Sequence, residues 1–415
     1  MQFGFQSGTL LLLIAAVVAI LTKRLRLPYS AGLVAAGIGL AAVPYVPRIV
    51  VTKNLIYLGL LPALLFEAAY NIHWDRLRRN FPVVAVLVSL GVALSMGVTA
   101  AGMHQFAHWP WSSAFIFGAL IAATDPVSVV AVFREARAHG RLLLLIEAES
   151  LMNDGTASVA FAVAVAMATG QAVGGGAITL MLVKSIGGAL VCGFVIGSGS
   201  LLLTGRTEDH LVETTFTTVA AYGSFLLADS FGMSGVLATI AAGLTMRNFK
   251  RIDGITPRGK EAVQNFWEYA AFIANSMVFL LIGVQQRSQP FLAIWAPIMI
   301  AVGVVLAGRA IAVYTCCGLF GASHLAVPNH QKTVLIWGGL RGALALALAL
   351  GLPPTMPMRN EIVTVSFGVV AFSIFVQGLT IRPLLRRFGE IPGKAEAHRE
   401  QAQEKAQERS SPVQG

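Results

Sequence analysis

The sequence predicts an all-α polytopic membrane protein of about thirteen transmembrane helices, arranged as inverted six-helix repeats with two broken helices. Composition, continuous apolar runs and two interrupted spans carry that prediction. Of the 415 residues, 56% are apolar and only 12% are charged, with a mean hydropathy of +0.71. Soluble domains carry about 25% charged residues, so this composition cannot furnish a water-facing surface. A spanning helix needs roughly 20 apolar residues, and the chain length admits about a dozen such spans. The runs are continuous and do not alternate as the strands of an outer-membrane barrel do. A soluble enzyme, a disordered chain and a disulfide-stapled secreted domain are excluded as well.

Apolar runs and their breaks place the spans near 8–22, 29–46, 54–72, 81–103, 111–133, 141–169, 177–204, 212–230, 232–246, 262–285, 291–320, 332–351 and 360–380. The first run has nothing basic before it, while Lys23, Arg24 and Arg26 follow it. That order is inverted for a cleaved signal, so it reads as a retained first span. The eighth and ninth spans are separated only by a very short turn around Asp229 to Gly232. Residues 1–392 form the membrane domain, and 393–415 form a short, polar, mixed-charge cytoplasmic tail.

The basic residues fix the orientation. With the N-terminus outside, 23 of the 30 Lys and Arg residues fall in inward loops or the tail. Only Arg48, Lys53, Arg287 and Arg359 fall outside. This is the positive-inside asymmetry. The net charge of +10 is therefore a topology signal and does not point to nucleic acid. Cys192, Cys316 and Cys317 lie in apolar runs and read as small buried side chains.

Two spans are interrupted. The fifth contains Thr124-Asp125-Pro126, where proline removes an N–H and disfavours helix in the residue before it. The twelfth contains Trp337-Gly338-Gly339-Leu340-Arg341-Gly342, whose glycines weaken the helix. Breaks at matching places in two halves point to inverted repeats around a midplane site. Spans 1–6 and 8–13 would be the repeats, with the seventh as connector.

Ionisable groups inside the spans mark that site. Burying a carboxylate costs at least about 2.5–3.5 kcal/mol on insertion scales, yet Glu67, Asp125, Glu147, Glu149 and Asp154 all lie deep. In the sixth span Glu147, Ser150 and Asp154 are three and four residues apart and share a helical face; Glu149 and Asn153 form the neighbouring stripe. Oxygen ligands suit a hard monovalent or divalent cation, and no His or Cys joins the cluster to make a transition-metal site. At the break, Asp125 and a freed Thr124 carbonyl would face a cation. A carboxylate that takes either a proton or a metal ion makes the two compete, which is the core of proton-coupled cation exchange. Arg341 needs a counter-charge, expected from a span-six glutamate. Arg309 is embedded with no partner evident from spacing. Lys184 snorkels, Asp229 lies at an interface, and Glu213, Glu268 and Glu361 lie near span ends, where solvation is expected. The eight histidines read as solvated or interfacial.

The segments LLPALLFEAAYNIHW (60–74), GALIAATDPVSVVAVFRE (118–135), LIEAESLMNDGTASVAF (145–161), WGGLRGALALALAL (337–350) and FSIFVQGLTIRPLL (372–385) resemble the monovalent cation:proton antiporters of the electroneutral sodium/proton exchanger type. The resemblance covers nearly the whole membrane region. It implies the antiporter fold, with a dimerisation part (about 1–75 and 206–286) and a mobile core (about 81–169 and 291–388) that moves as an elevator. It implies that Asp154 carries ion and proton, that Asp125, the Thr124 carbonyl and Ser150 are Na⁺ ligands, and that Glu67 joins the site. It implies a core salt bridge between Glu149 and Arg341, and it matches Asn153 to the Asn of the electroneutral branch. Ala148 departs from the Gly of many members.

The leading expectation is a secondary antiporter, not an enzyme. It would exchange Na⁺ (or Li⁺) for H⁺ one-for-one, as a homodimer in a bacterial inner membrane, with no cofactor beyond the transported ions. Glu147 is the group that could carry a second proton. A K⁺/H⁺ exchanger on the same scaffold stays open. A cation channel would normally repeat its filter by symmetry, and these acids come from one half. An intramembrane protease would place its aspartates on two simple helices. No nucleotide signature appears.

Overall fold

A computed structural model describes residues 5–25, 27–42, 53–125, 127–136, 140–170, 174–248, 255–286, 289 and 291–391. Among them there is no strand; fifteen helices make up thirteen helical units. They are α1 (Phe5–Leu25), α2 (Tyr29–Ala42), α3 (Leu55–Asn71), α4 (Trp74–Ala107), α5 (Trp111–Ala122), α6 (Val127–Glu135), α7 (Arg141–Ala168) and α8 (Gly175–Thr204). There follow α9 (His210–Ser230), α10 (Gly235–Asn248), α11 (Pro257–Gln286), α12 (Trp295–Gly318), α13 (Asn329–Gly338), α14 (Ala343–Leu350) and α15 (Arg359–Arg387). Eight helices are long and apolar enough to cross a membrane, and α2, α3 and α5 are shorter apolar helices. The units fall on the expected spans. The fifth span divides into α5 and α6, and the twelfth into α13 and α14. Pro126, the basic residues Arg26, Arg48, Lys250, Arg251 and Arg287, and the 393–415 tail lie outside the described residues.

The short turn between α9 and α10 is real. It is closed by Met233 N–H on the Ala228 carbonyl (2.9 Å) and by Gly232 at φ +68°. That left-handed backbone suits only glycine without strain, so two helices can be joined by four residues.

Packing is densest between α2 and α11, α8 and α10, α4 and α12, and α4 and α5, with α8 and α9, α3 and α10, and α5 and α7 next. The eleventh unit, α12, also packs on α15. The largest apolar core runs through α4, α5, α7, α12, α14 and α15, and surrounds the two breaks.

One span-end acid differs from expectation. Glu213 is buried, not solvated. Its carboxylate accepts from the Thr256 N–H (3.1 Å) and Oγ1 (3.2 Å), and Thr256 in turn caps Gly259 N–H at the start of α11 (3.0 Å). An acid at a helix N-terminus is stabilised by the unsatisfied N–H groups there, which offsets its burial.

Candidate functional site

The two breaks cross each other. Asp125 N–H donates to the Leu340 carbonyl at 2.8 Å, one antiparallel bridge between the non-helical segments 123–125 and 339–342. Four half-helices therefore end at one place. The last carbonyls of a helix and the first N–H groups lack intrahelical partners, and inside a membrane each needs one from the protein.

Arginines meet the two C-terminal ends. Arg341 Nη1 donates to the carbonyls of Ala122 (2.8 Å) and Ala123 (3.1 Å) at the end of α5. Arg309, from α12, donates from Nη2 to the Leu335 carbonyl in the last turn of α13 (3.0 Å). A cation at a helix C-terminus also complements the dipole. Gln377 adds a bond from Nε2 to the Trp337 carbonyl (3.0 Å), held in place by Ser373 Oγ on its Oε1 (2.6 Å). At the N-terminal end of α6, Asp125 Oδ1 accepts from Val127 N–H (2.9 Å) in an N-cap arrangement.

The expected Glu149–Arg341 salt bridge is corrected by this geometry. Glu149, 1% exposed, is held by Arg309 in a bidentate pair, Nη1 to Oε1 at 2.6 Å and Nη2 to Oε2 at 2.8 Å. Arg341 is spent on the α5 carbonyls instead. Its place in the break puts it beside a helix end, whereas Arg309 projects from an unbroken helix toward the buried stripe of α7. The planar fork of guanidinium matches a carboxylate, so the embedded Arg309 has its partner.

The stripes of α7 separate two jobs. Glu149 and Asn153 face the buried side. Asn153 Nδ2 donates to Glu149 Oε1 (3.0 Å) and Thr124 Oγ1 (2.6 Å), and its Oδ1 accepts from Thr124 N–H (3.2 Å). Thr124 Oγ1 donates to Ser150 Oγ at 3.0 Å. Asn153 thus ties the first break to α7 with its whole amide, while Ser150 sits directly behind Thr124. On the adjacent stripe, Glu147, Leu151 and Asp154 line a cavity of about 360 Å³.

That cavity collects five carboxylates from four elements: Glu67 of α3, Asp125 at the break, Glu147 and Asp154 of α7, and Glu268 of α11. Thr124 also lines it; Ser150, Asn153 and Glu149 do not. Glu67 accepts from Asn71 Nδ2 at 2.6 Å and lies 3.9 Å from Arg134 Nη2. Among the described residues nothing hydrogen-bonds to the Asp154 carboxylate. An apolar-walled space with one unpartnered aspartate and a second at a helix break can hold a small cation or a proton.

Glu268, Arg134, Asn71 and Gln377 were not singled out from spacing. Gln377 had a signal, as a polar residue inside the apolar run of the 372–385 motif. Arg134, in the last turn of α6, and Glu268, inside α11 but near the end of the expected span 262–285, read as solvated, and both are exposed at the cavity's rim.

The family model described as "Sodium/hydrogen exchanger, transmembrane" matches residues 11–387. This chain belongs to the sodium/hydrogen exchanger family. It is 39% identical over 378 residues to the Na⁺/H⁺ antiporter ApNhaP of Aphanothece halophytica, covering 89% of this chain and 71% of that one. It is 36% identical over 409 residues to the Na⁺/H⁺ antiporter NhaG of Bacillus atrophaeus, covering 95% and 77%. Its fold is that of the sodium proton antiporter MjNhaP1 from Methanocaldococcus jannaschii, with a TM-score of 0.77 at 20% identity over 95% of this chain and all of that one. The exchanger is accordingly an integral membrane protein and a secondary transporter, not an enzyme.

In this exchanger Gly342 carries a sharp steric demand. A Cβ there would lie 2.4 Å from Asp125 Oδ2 and 2.6 Å from its Cβ, so the aspartate or the break must move. Gly342→Ala is expected to cut ion exchange on the order of 10²-fold, since a misplacement near 1 Å is that costly at a reacting centre. Ion-flux assays on reconstituted variant and wild type check it; an active Gly342→Ala protein would mean Asp125 need not be held there.

Proposed function

We propose that the chain is a secondary active antiporter that exchanges Na⁺ for H⁺ across a bacterial inner membrane. The observation that carries this is the cavity in which Asp125, at the crossing of two broken helices, and the unpartnered Asp154 face one another's space. Membership of the family and the names of its antiporter relatives support the choice of ions.

In this reading Na⁺ binds Asp154, Asp125 and the oxygens of Thr124, with Ser150 holding Thr124 in place and Glu67 guiding the ion in. H⁺ and Na⁺ compete for Asp154. Asn153 has no ionisable proton near neutral pH, and Glu149 is tied to Arg309. One alternating carboxylate carries one charge each way, so exchange is one-for-one and electroneutral. Glu147 lines the same cavity and is the group whose proton would spoil that count.

The core (α4–α7 and α12–α15) moves as an elevator against α1–α3 and α9–α11, which form the homodimer interface. The basic loops place the N-terminus outside and the C-terminus inside. Its task is pH and sodium homeostasis.

The test is exchange in proteoliposomes under an imposed pH gradient, comparing Na⁺, Li⁺ and K⁺, with the membrane potential clamped by valinomycin and K⁺ in the Na⁺ and Li⁺ runs. Na⁺-driven proton movement independent of potential is expected. Movement that follows the potential overturns the one-for-one count, and K⁺ exchange faster than Na⁺ overturns the ion assigned.

A further inference from the structure

We propose that Arg134 is a tethered cation that competes with the transported monovalent cation at the mouth of the cavity and so sets the exchanger's apparent cation affinity. The inference rests on the cavity being the cation's path.

Among the described residues that line the cavity, five are carboxylates and Arg134 alone is cationic. It stands in the last turn of α6, the half-helix that begins just after Asp125. Its Nη2 lies 3.9 Å from Glu67 Oε1 on α3, across the cavity, and its field also falls on Glu147 of α7. One flexible side chain therefore addresses two of the acids an entering ion must pass.

The contact is loose. Charge-assisted bonds run at about 2.7–2.9 Å, and Arg309 meets Glu149 at 2.6 and 2.8 Å with both residues buried. Arg134 is 55% exposed while Glu67 is 16% exposed. An ion pair half in water adds little to stability, so the pair is poorly suited to holding α3 against α6. It is well suited to screening. A guanidinium and a sodium ion near the same carboxylates repel each other, and a mobile guanidinium can swing toward water when an ion enters. Each entry then includes displacement of an internal competitor, which raises the ion concentration needed for half-saturation. The competing role is complementing the dipole at the end of α6, which would affect helix stability and leave affinity alone.

The test reconstitutes wild type, Arg134→Gln and Arg134→Lys and measures the initial rate against Na⁺ concentration at fixed pH, with ionic strength held by choline. Arg134→Gln is expected to lower the half-saturating Na⁺ roughly 3–10-fold, the size expected of one partly screened charge, and to move it more than the maximal rate. Arg134→Lys keeps the charge and is expected to stay near wild type. The shift should shrink in a Glu67→Gln background. As a second readout, the Na⁺ concentration that raises the thermal midpoint of the detergent-solubilised protein should fall in Arg134→Gln. Half-saturation that is unchanged or raised in Arg134→Gln overturns the proposal, as does a lower maximal rate without an affinity change. If Arg134→Gln is not produced, Arg134→Ser carries the same expectation. A wild type that exchanges no Na⁺ for H⁺ overturns the parent reading instead, and is told apart because no half-saturation then exists to shift.

Discussion

Asp154→Asn is expected to abolish Na⁺/H⁺ exchange while leaving the exchanger folded. The two halves of that outcome have separate causes. Among the described residues no hydrogen bond holds the Asp154 carboxylate, so replacing it with an amide of equal size breaks no internal contact. What is lost is the charge. An amide neither gives up a proton nor balances a bound cation, and in a partly buried site one full charge at about 4 Å is worth around 4 kcal/mol at an effective dielectric near 20. Exchange should fall by at least about 10²-fold on that scale. Elution profile and thermal midpoint should match wild type. Asp125→Asn should give the same loss with the fold retained, since its Oδ1 can still accept from Val127 N–H and Asn caps helices as well as Asp. Transport near the wild-type rate in either variant would sink the site.

Those two aspartates were legible in the sequence because each sits in a locally encoded feature. Asp125 lies in a break signalled by a proline, and Asp154 shares a helical stripe with Glu147. Local rules also place the thirteen units and both broken helices, because apolar run length and glycine or proline interruptions act within a single span. The partner of Glu149 obeys no such rule. Periodicity says which residues share a face of α7, but two buried arginines far along the chain, Arg309 and Arg341, could each supply the charge. What decides between them is where the C-terminal ends of α5 and α13 lie, and that follows only from the crossing of the breaks. The contribution of Glu268 was hidden for a related reason. A residue near a span end counts as solvated until the structure shows that the solvent there is the mouth of the cavity.

The charge balance behind the site yields the second large effect. Glu149 and Arg309 are both buried and bonded at 2.6 and 2.8 Å. Removing either leaves an uncompensated charge in a low-dielectric interior, which costs about 3–5 kcal/mol. Arg309→Ala and Glu149→Ala are each expected to lower the thermal midpoint and the folded yield sharply. The double variant should be much less damaging than the sum, because it removes both charges together. Arg341→Ala should also destabilise, for a different reason: it strips partners from the Ala122 and Ala123 carbonyls, at about 1–3 kcal/mol per unsatisfied group. Its combination with Glu149→Ala should therefore come close to additive, since the two side chains serve different partners. Thermal midpoints of the purified single and double variants, compared at one scan rate because membrane-protein unfolding is commonly irreversible, make the measurement. A strong non-additive coupling of Glu149 with Arg341, together with additivity between Glu149 and Arg309, would reverse the assignment and return the salt bridge to Arg341.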